Sequence, residues 1–181
     1  MPFELFVFTP ALRSGASVRD ENCQVAKYHI MKFLIKFIYQ ASRMVWLLFK
    51  PLTVGVRLLM VRDDQVLLVK HVYEDSWYLP GGLVERGETL EQAVRRESFE
   101  EVGATLHDLL LFGVYTNFKQ GKSDHIMTFL SHDFDLNGQS DCEIERYAFF
   151  PLDDLPAGIS PGSENRIRDY LEGKSATYGD W

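Results

Sequence analysis

From residue 52 onward the apolar positions come in short runs rich in Val, Ile, Leu and Phe, interrupted by charged or Gly/Pro-containing breaks. "TVGVRLLMV" (53–61) and "QVLLVKHVY" (65–73) are two such runs, joined by Arg62-Asp63-Asp64. Their length and composition predict strands, and the short polar link predicts a hairpin. "WYLP" (77–80), "LLLFGVYTN" (109–117), "HIMTFLSHDFD" (125–135) and "EIERYAFF" (143–150) continue the series. Two stretches change period. In residues 90–102 the apolar residues recur at helical spacing. Thr89 with Gln92 makes a capping box, and Gly103 suits the left-handed residue that closes a helix. "SENRIRDYLEG" (163–173) predicts a C-terminal helix with Ser163 as candidate cap.

Upstream of the strands, residues 28–51 read "YHIMKFLIKFIYQASRMVWLLFKP". Met31, Leu34, Ile35, Ile38, Val45 and Phe49 share one side at helical spacing, with Lys32, Lys36, Arg43 and Lys50 largely opposite. An amphipathic basic helix over 28–50 is predicted. Its longest charge-free runs are six residues, far short of the roughly 20 apolar residues of a spanning helix. Packing on the domain or on a second subunit, as in a homodimer, is the preferred cover for its apolar stripe, ahead of peripheral membrane contact. Residues 1–27 carry weak periodicity and read as a loosely packed extension. The organisation expected is therefore 1–27, 28–50 and one domain over 51–175.

Composition fits that outline. Of the 181 residues 46% are hydrophobic and 25% charged, as in ordinary globular proteins. The net charge of −7 leaves no basic footprint for nucleic acid. Cys23 and Cys142 stand far apart without a metal or redox motif, which suggests a reducing, cytoplasmic setting.

The acidic excess has one informative concentration. At about 100° per residue, Glu97, Glu100 and Glu101 fall on the same stripe as Leu90, Ala93 and Val94. A solvated acidic face would cost little. An inward-turned stripe would instead press carboxylates together at low dielectric, so a cation belongs among them. With no Cys or His in the stretch the ligands are all oxygen, which selects Mg²⁺ or Mn²⁺.

These residues sit in "GGLVERGETLEQAVRRESFEEVGA" (81–104), which resembles the signature of the Nudix hydrolases, G-x5-E-x7-R-E-U-x-E-E-x-G-U, where U is bulky and apolar. Gly82, Glu88, Arg96, Glu97, Glu100, Glu101 and Gly103 occupy the fixed positions. Ser98 and Ala104 are smaller than the usual U residues, and Ser98 is expected to bond back to the Val94 carbonyl. The resemblance, which covers roughly 52–172, implies an α/β/α sandwich around a mixed sheet and hydrolysis of the pyrophosphate linkage in a small nucleotide-type substrate, a nucleoside diphosphate linked to another group. It implies divalent-metal ligation by Glu97, Glu100 and Glu101 with the carbonyl of Gly81, and a structural brace between Glu88 and Arg96. The general base is expected to be Glu100, with Glu143 or Glu145 as alternatives or further ligands. His71, Lys119, Lys122 and His125 are candidate substrate contacts. Trp77 and Tyr78 could stack on a base, although strand aromatics are more often core. A Nudix-fold module that binds without cutting, and a pyrophosphohydrolase acting on RNA 5′ ends, are the rival readings.

Overall fold

The computed structural model describes residues 33, 34, 37, 38, 40, 41, 52–118 and 123–181. Along them run β1 (Leu52–Arg62), β2 (Gln65–His71), β3 (Trp77–Tyr78), α1 (Leu90–Val102), β4 (Ala104–Leu106), β5 (Leu110–Asn117), β6 (Ser123–Ser131), β7 (Phe134–Leu136), β8 (Ile144–Pro151), α2 (Pro161–Leu171) and β9 (Thr177–Asp180). The predicted hairpin is present. Asp63 and Asp64 both take positive φ, 51° and 58°, the twist a two-residue hairpin turn needs, and aspartate tolerates it.

The main sheet is mixed. Its order is β3-β2-β1-β6-β5-β9, with β8 on the other side of β2. β1 and β6 are parallel, as are β5 and β9, whereas β2 runs antiparallel to β8 and β5 to β6. Beyond the hairpin, β1 turns to a different partner: the amides of Val56 and Leu58 donate to the carbonyls of Gly82 and Pro80, and the Val84 amide donates to Val54. The strand that leaves β3 is thus laid along β1, which puts the Gly81-Gly82 pair in the sheet layer. β4 and β7 form a separate antiparallel pair.

The alternation read from the sequence becomes two cores. Val56, Leu58, Met60, Leu67 and Val69 face one side with Ala93, Val94 and Val102 of α1. Leu59, Val61, Val66 and Leu68 face the other with Ile167 of α2. Successive strand residues point to opposite faces, so one strand serves both cores. The result is the expected α/β/α sandwich.

Two local expectations are corrected. α2 starts earlier than the Ser163 cap suggested: Ser160 is the cap, its Oγ accepting from the Ser163 amide at 3.3 Å, and Pro161 follows. Proline suits the first helical position because its missing N–H would have no partner there. Ser163 instead accepts the Leu79 amide at 3.0 Å, tying the helix to the strand that leads to the glycines. Ser98 donates to the Arg95 carbonyl at 3.1 Å, one residue nearer than Val94.

Of the predicted 28–50 helix, residues 33, 34, 37, 38, 40 and 41 are described, and they are helical. Phe33, Leu34, Phe37 and Ile38 are exposed there. The remainder of that helix and the 1–27 extension lie outside the described residues. Among the described residues no helix is long and apolar enough to cross a membrane.

Candidate active site

The capping box of α1 forms as predicted, with Thr89 and Gln92 exchanging bonds, and Gly103 closes the helix at φ 67°. This sets the rotation of the acidic stripe. Ala93 and Val94 are fully buried in the core below, and the helix carries Glu101 down with them, to 8% exposure. Burial of a carboxylate demands partners. Glu101 has two: the Gly81 amide donates to Oε2 at 2.7 Å, and His71 Nε2 lies 3.2 Å from Oε1. A carboxylate only accepts, so Nε2 carries the hydrogen.

The glycine pair makes the close approach feasible. Gly81 has φ 131°, and a Cβ there would fall 2.2 Å from the Val56 carbonyl oxygen. At Gly82 a Cβ would fall 2.5 Å from Glu97 Oε1. The second glycine is therefore the floor on which the Glu97 carboxylate rests.

Arg96 closes the outer side. Its Nε and Nη2 donate to the two oxygens of Glu88 at 2.9 and 3.0 Å, and Nη2 also reaches the Leu83 carbonyl at 3.0 Å. Nη1 donates to Glu97 at 2.9 Å and to Glu100 at 3.0 Å. The fork fits one carboxylate, and the two hydrogens of Nη1 serve two more. The bonds from Arg96 hold the Glu88 carboxyl below its ordinary range, and the Glu85 amide adds to this. Glu97 goes the other way: burial pushes its carboxyl up despite Arg96.

Beside this helix lies a cavity of about 510 Å³, within the range of nucleotide-sized sites. Glu97, Glu101, Glu74, Asp124 and Glu143 bring carboxylates to its lining, and the Gly81-Gly82 backbone forms part of its wall. Arg57 and His71 also line it, and Arg57 Nη1 and His71 Nδ1 are buried with no hydrogen-bond partner. Native proteins rarely leave buried polar atoms unpaired, whether a donor such as Arg57 Nη1 or an acceptor such as His71 Nδ1, unless a ligand or ion completes them. Partial burial pushes the Glu143 carboxyl up, with the neighbouring charge of Asp141 acting in the same direction. Burial also pushes the Tyr78 hydroxyl up to about 12, so it stays a neutral donor in the wall.

The architecture and the residues have solved and curated counterparts. Residues 51–170 match the NUDIX domain family. The chain belongs to the Nudix hydrolase family. It is 31% identical over 127 residues to an ADP-ribose pyrophosphatase of Methanocaldococcus jannaschii, an alignment covering 67% of this chain and 75% of that one. An RNA pyrophosphohydrolase of Aeromonas hydrophila is 40% identical over a shorter 70 residues, 39% of each chain. A MutT NUDIX hydrolase from Burkholderia pseudomallei has a crystal structure that superposes with a TM-score of 0.60 at 30% identity, covering 65% of this chain and 96% of that one.

Against the Nudix expectations, the placement of single residues is uneven. Glu97, Glu101, Gly81, Glu143 and His71 come together around the cavity. Glu88 and Arg96 meet as a two-point pair. Glu100 is exposed, bonded to Arg96 and outside the cavity lining. Glu145 is exposed and also outside it, at an irregularity where His71 pairs with Ile144 and Lys70 with Arg146. His125 sits on the opposite side of β6 from Asp124 and Ile126, which do line the cavity. Trp77 is core, packed edge-on against Phe150, while Tyr78 is a wall residue. Lys119 and Lys122 lie outside the described residues.

Arg57 and Asp124 were not singled out by sequence reasoning. Arg57 had a readable signal, because it interrupts the inward-facing positions between Gly55 and Leu59 with a full charge. Asp124 had none, since aspartate at the start of a strand is common.

Nudix hydrolases generally use divalent metals. Among the described residues no three His, Cys, Asp or Glu side chains are gathered in ligand geometry; Glu97 and Glu100 lean toward Arg96, and Glu101 toward Gly81 and His71. The donor chemistry nonetheless fits a hard cation. Two sunk carboxylates, Glu97 and Glu101, share one cavity wall with the Gly81 backbone, an all-oxygen donor set.

Proposed function

We propose that this Nudix-type pyrophosphohydrolase cleaves the pyrophosphate linkage of a nucleoside diphosphate linked to another group, with Mg²⁺, or Mn²⁺ in its place, as cofactor. The observation that carries the reading is the pairing, in one nucleotide-sized cavity, of sunk carboxylates with a buried Arg57 N–H that has no partner. Carboxylates alone would repel a diphosphate. Together with a cation and a fixed guanidinium they make a site for one.

The ligands of that cation are proposed to be Glu97, Glu100, Glu101 and the carbonyl of Gly81, all oxygen. Such a cation, when bound, neutralises diphosphate oxygens and lowers the pKa of the attacking water. The protein's own residues do the rest. Arg57 donates Nη1–H to a phosphate oxygen. Arg96 steadies Glu97 and Glu100, while His71 and the Gly81 amide fix the rotamer of Glu101. The proton of the attacking water passes to a carboxylate. Glu100 holds that role in our reading, and Glu143, which stands in the cavity wall, is the alternative.

The relative named ADP-ribose pyrophosphatase is aligned over two thirds of this chain, which supports a small nucleotide substrate. The relatives named RNA pyrophosphohydrolase match over less, and a net charge of −7 disfavours an RNA end as substrate. A module that binds without cutting is disfavoured because every carboxylate of the motif is retained. The exposed free thiol of Cys142 suits a reducing, cytoplasmic setting. The deciding experiment is a Mg²⁺-supplemented assay against nucleotide sugars, dinucleotides and nucleoside triphosphates, scored by product identity. Release of a nucleoside monophosphate from a nucleotide-linked substrate is expected. Tight binding without turnover of any of them would return the protein to the binding-module reading.

A further inference from the structure

The cavity has a second wall, built by a part of the chain beyond the family match, which ends at residue 170. β9 adds to the sheet parallel to β5, with Gly113 opposite Thr177 and Thr116 opposite Asp180. The Trp181 amide then donates to the Thr116 carbonyl at 2.9 Å. Trp181 follows directly and lines the cavity, half-buried.

Its position is held from several directions. Arg166, 5% exposed, donates to the Asp180 carbonyl at 3.1 Å and lies 3.6 Å over the Tyr115 ring. Tyr115 meets the indole edge-on at 6.1 Å between centroids. The indole also lies against the first turn of α2, where a Cβ on Gly162 would come within 2.0 Å of Trp181 Nε1. A large aromatic ring is thus set in place before any ligand arrives, so little ordering cost falls on binding. Asn117 and Asp124, paired across β5 and β6, line the cavity beside this edge and bring an amide and a carboxylate within the same wall.

We propose that Trp181 is a specificity-determining residue whose indole stacks on the base of the nucleoside diphosphate substrate. This rests on the hydrolase reading above. The diphosphate lies toward Arg57 and the α1 carboxylates, and the base lies toward the side of the sheet formed by β6, β5 and the edge strand β9. A ring presented to a planar base gives affinity that depends on the base and not on the phosphates.

The test compares W181L and W181F with wild type in the full chain, on a nucleoside diphosphate-linked substrate and on 5-phosphoribosyl 1-diphosphate, which has a diphosphate and no base. W181L should raise KM for the first by about tenfold or more with kcat within about twofold, and W181F should stay near wild type. Any turnover of the base-free compound should be unchanged. ADP should quench tryptophan emission in wild type and not in W181F, whose ring keeps the wall packed. Equal KM for the nucleotide substrate in wild type and W181L overturns the proposal, as does an equal loss on both compounds or a quench that persists in W181F. If wild type cleaves nothing yet binds ADP more than tenfold tighter than W181L, hydrolysis fails and the stack stands. If wild type binds no nucleotide, the stack fails too.

Discussion

Arg96 and Arg57 both favour the charged form of the Glu97 carboxylate and could hardly be treated more differently. Arg96 spends its hydrogens on Glu88, the Leu83 carbonyl, Glu97 and Glu100. Arg57 keeps a buried Nη1 with no partner in the wall of the cavity. A guanidinium satisfied by its own protein contributes to the fold; one left short contributes to whatever enters. The contrast extends along α1. On its outer side the charges are closed off in pairs, and on its inner side two carboxylates, Glu97 and Glu101, are compressed into one cavity wall.

The largest expected effect follows from Glu101, the most buried carboxylate of the stripe. Glu101→Gln keeps nearly the same shape and leaves one amide oxygen for the Gly81 N–H. We expect turnover to fall by about 10²–10³, the scale for removing one preorganised electrostatic group, with the far-UV spectrum unchanged. Mg²⁺ should raise the melting temperature of wild type by mass action and that of the variant less. Turnover close to wild type would show that the inner charges are not the catalytic ones.

The two arginines should then separate cleanly. Arg57→Met removes a buried donor with no partner, so kcat/KM should drop by roughly 10–100-fold, as for loss of a charge-assisted bond of about 1.5–3 kcal/mol, while the melting temperature holds or rises. Arg96→Ala removes the two-point bond to Glu88 and frees Glu97, so it should lower the melting temperature and loosen metal binding with it. Urea denaturation with and without Mg²⁺ reads both. A stability loss in the Arg57 variant as large as in the Arg96 variant would erase the distinction between brace and site.

A smaller effect tests the compression directly. Burial raises the folded-state pKa of Glu97. Below the unfolded value the group is neutral in both states and carries no penalty; as pH rises through that value toward the raised folded one, the penalty accrues and then stays constant. Without metal, Glu97→Gln should therefore be more stable than wild type at pH 7, and the advantage should disappear below about pH 4, under the ordinary glutamate range. Mg²⁺ should reverse the order, because it stabilises the carboxylate. An advantage independent of pH would point to packing instead of charge.

Much of this arrangement could be read before any coordinates, and the reason is locality. The capping box, the Gly103 stop and the spacing of the glutamates are set by residues a turn apart, and the two-fold alternation of β1 and β2 by residues next to each other. What escaped depends on partners far along the chain. β9 has little strand character in Thr-Tyr-Gly-Asp and forms because the edge of β5 is open to it. Trp181 then reaches a cavity whose opposite wall is some eighty residues earlier in sequence, near Glu97 and Glu101. Arg57 advertised itself only as a charge at an inward strand position, a signal that does not say what it will meet.

The smallest contrast concerns two glutamates that the sequence could not tell apart. Simple alternation puts Glu143 and Glu145 on the same face, so both were equal candidates for base or ligand. The irregular pairing of β8 with β2 breaks that equivalence: residue 145 has no opposite number between Ile144 and Arg146. A bulged residue re-aims its neighbours. Glu143 ends in the cavity wall, where burial and the nearby carboxylate of Asp141 raise its pKa, and Glu145 stays outside. Glu143→Gln should lower kcat about tenfold if it helps to receive the proton, within the reach of general-base catalysis, and should remove the acid limb of the pH–rate profile. Glu145→Gln should leave kcat and KM within about twofold. Our reading of Glu100 as the base expects the other result, loss of that limb in Glu100→Gln and not in Glu143→Gln, with Glu143 serving the wall alone; a large loss from Glu145→Gln would mean that the bulge moves when substrate binds.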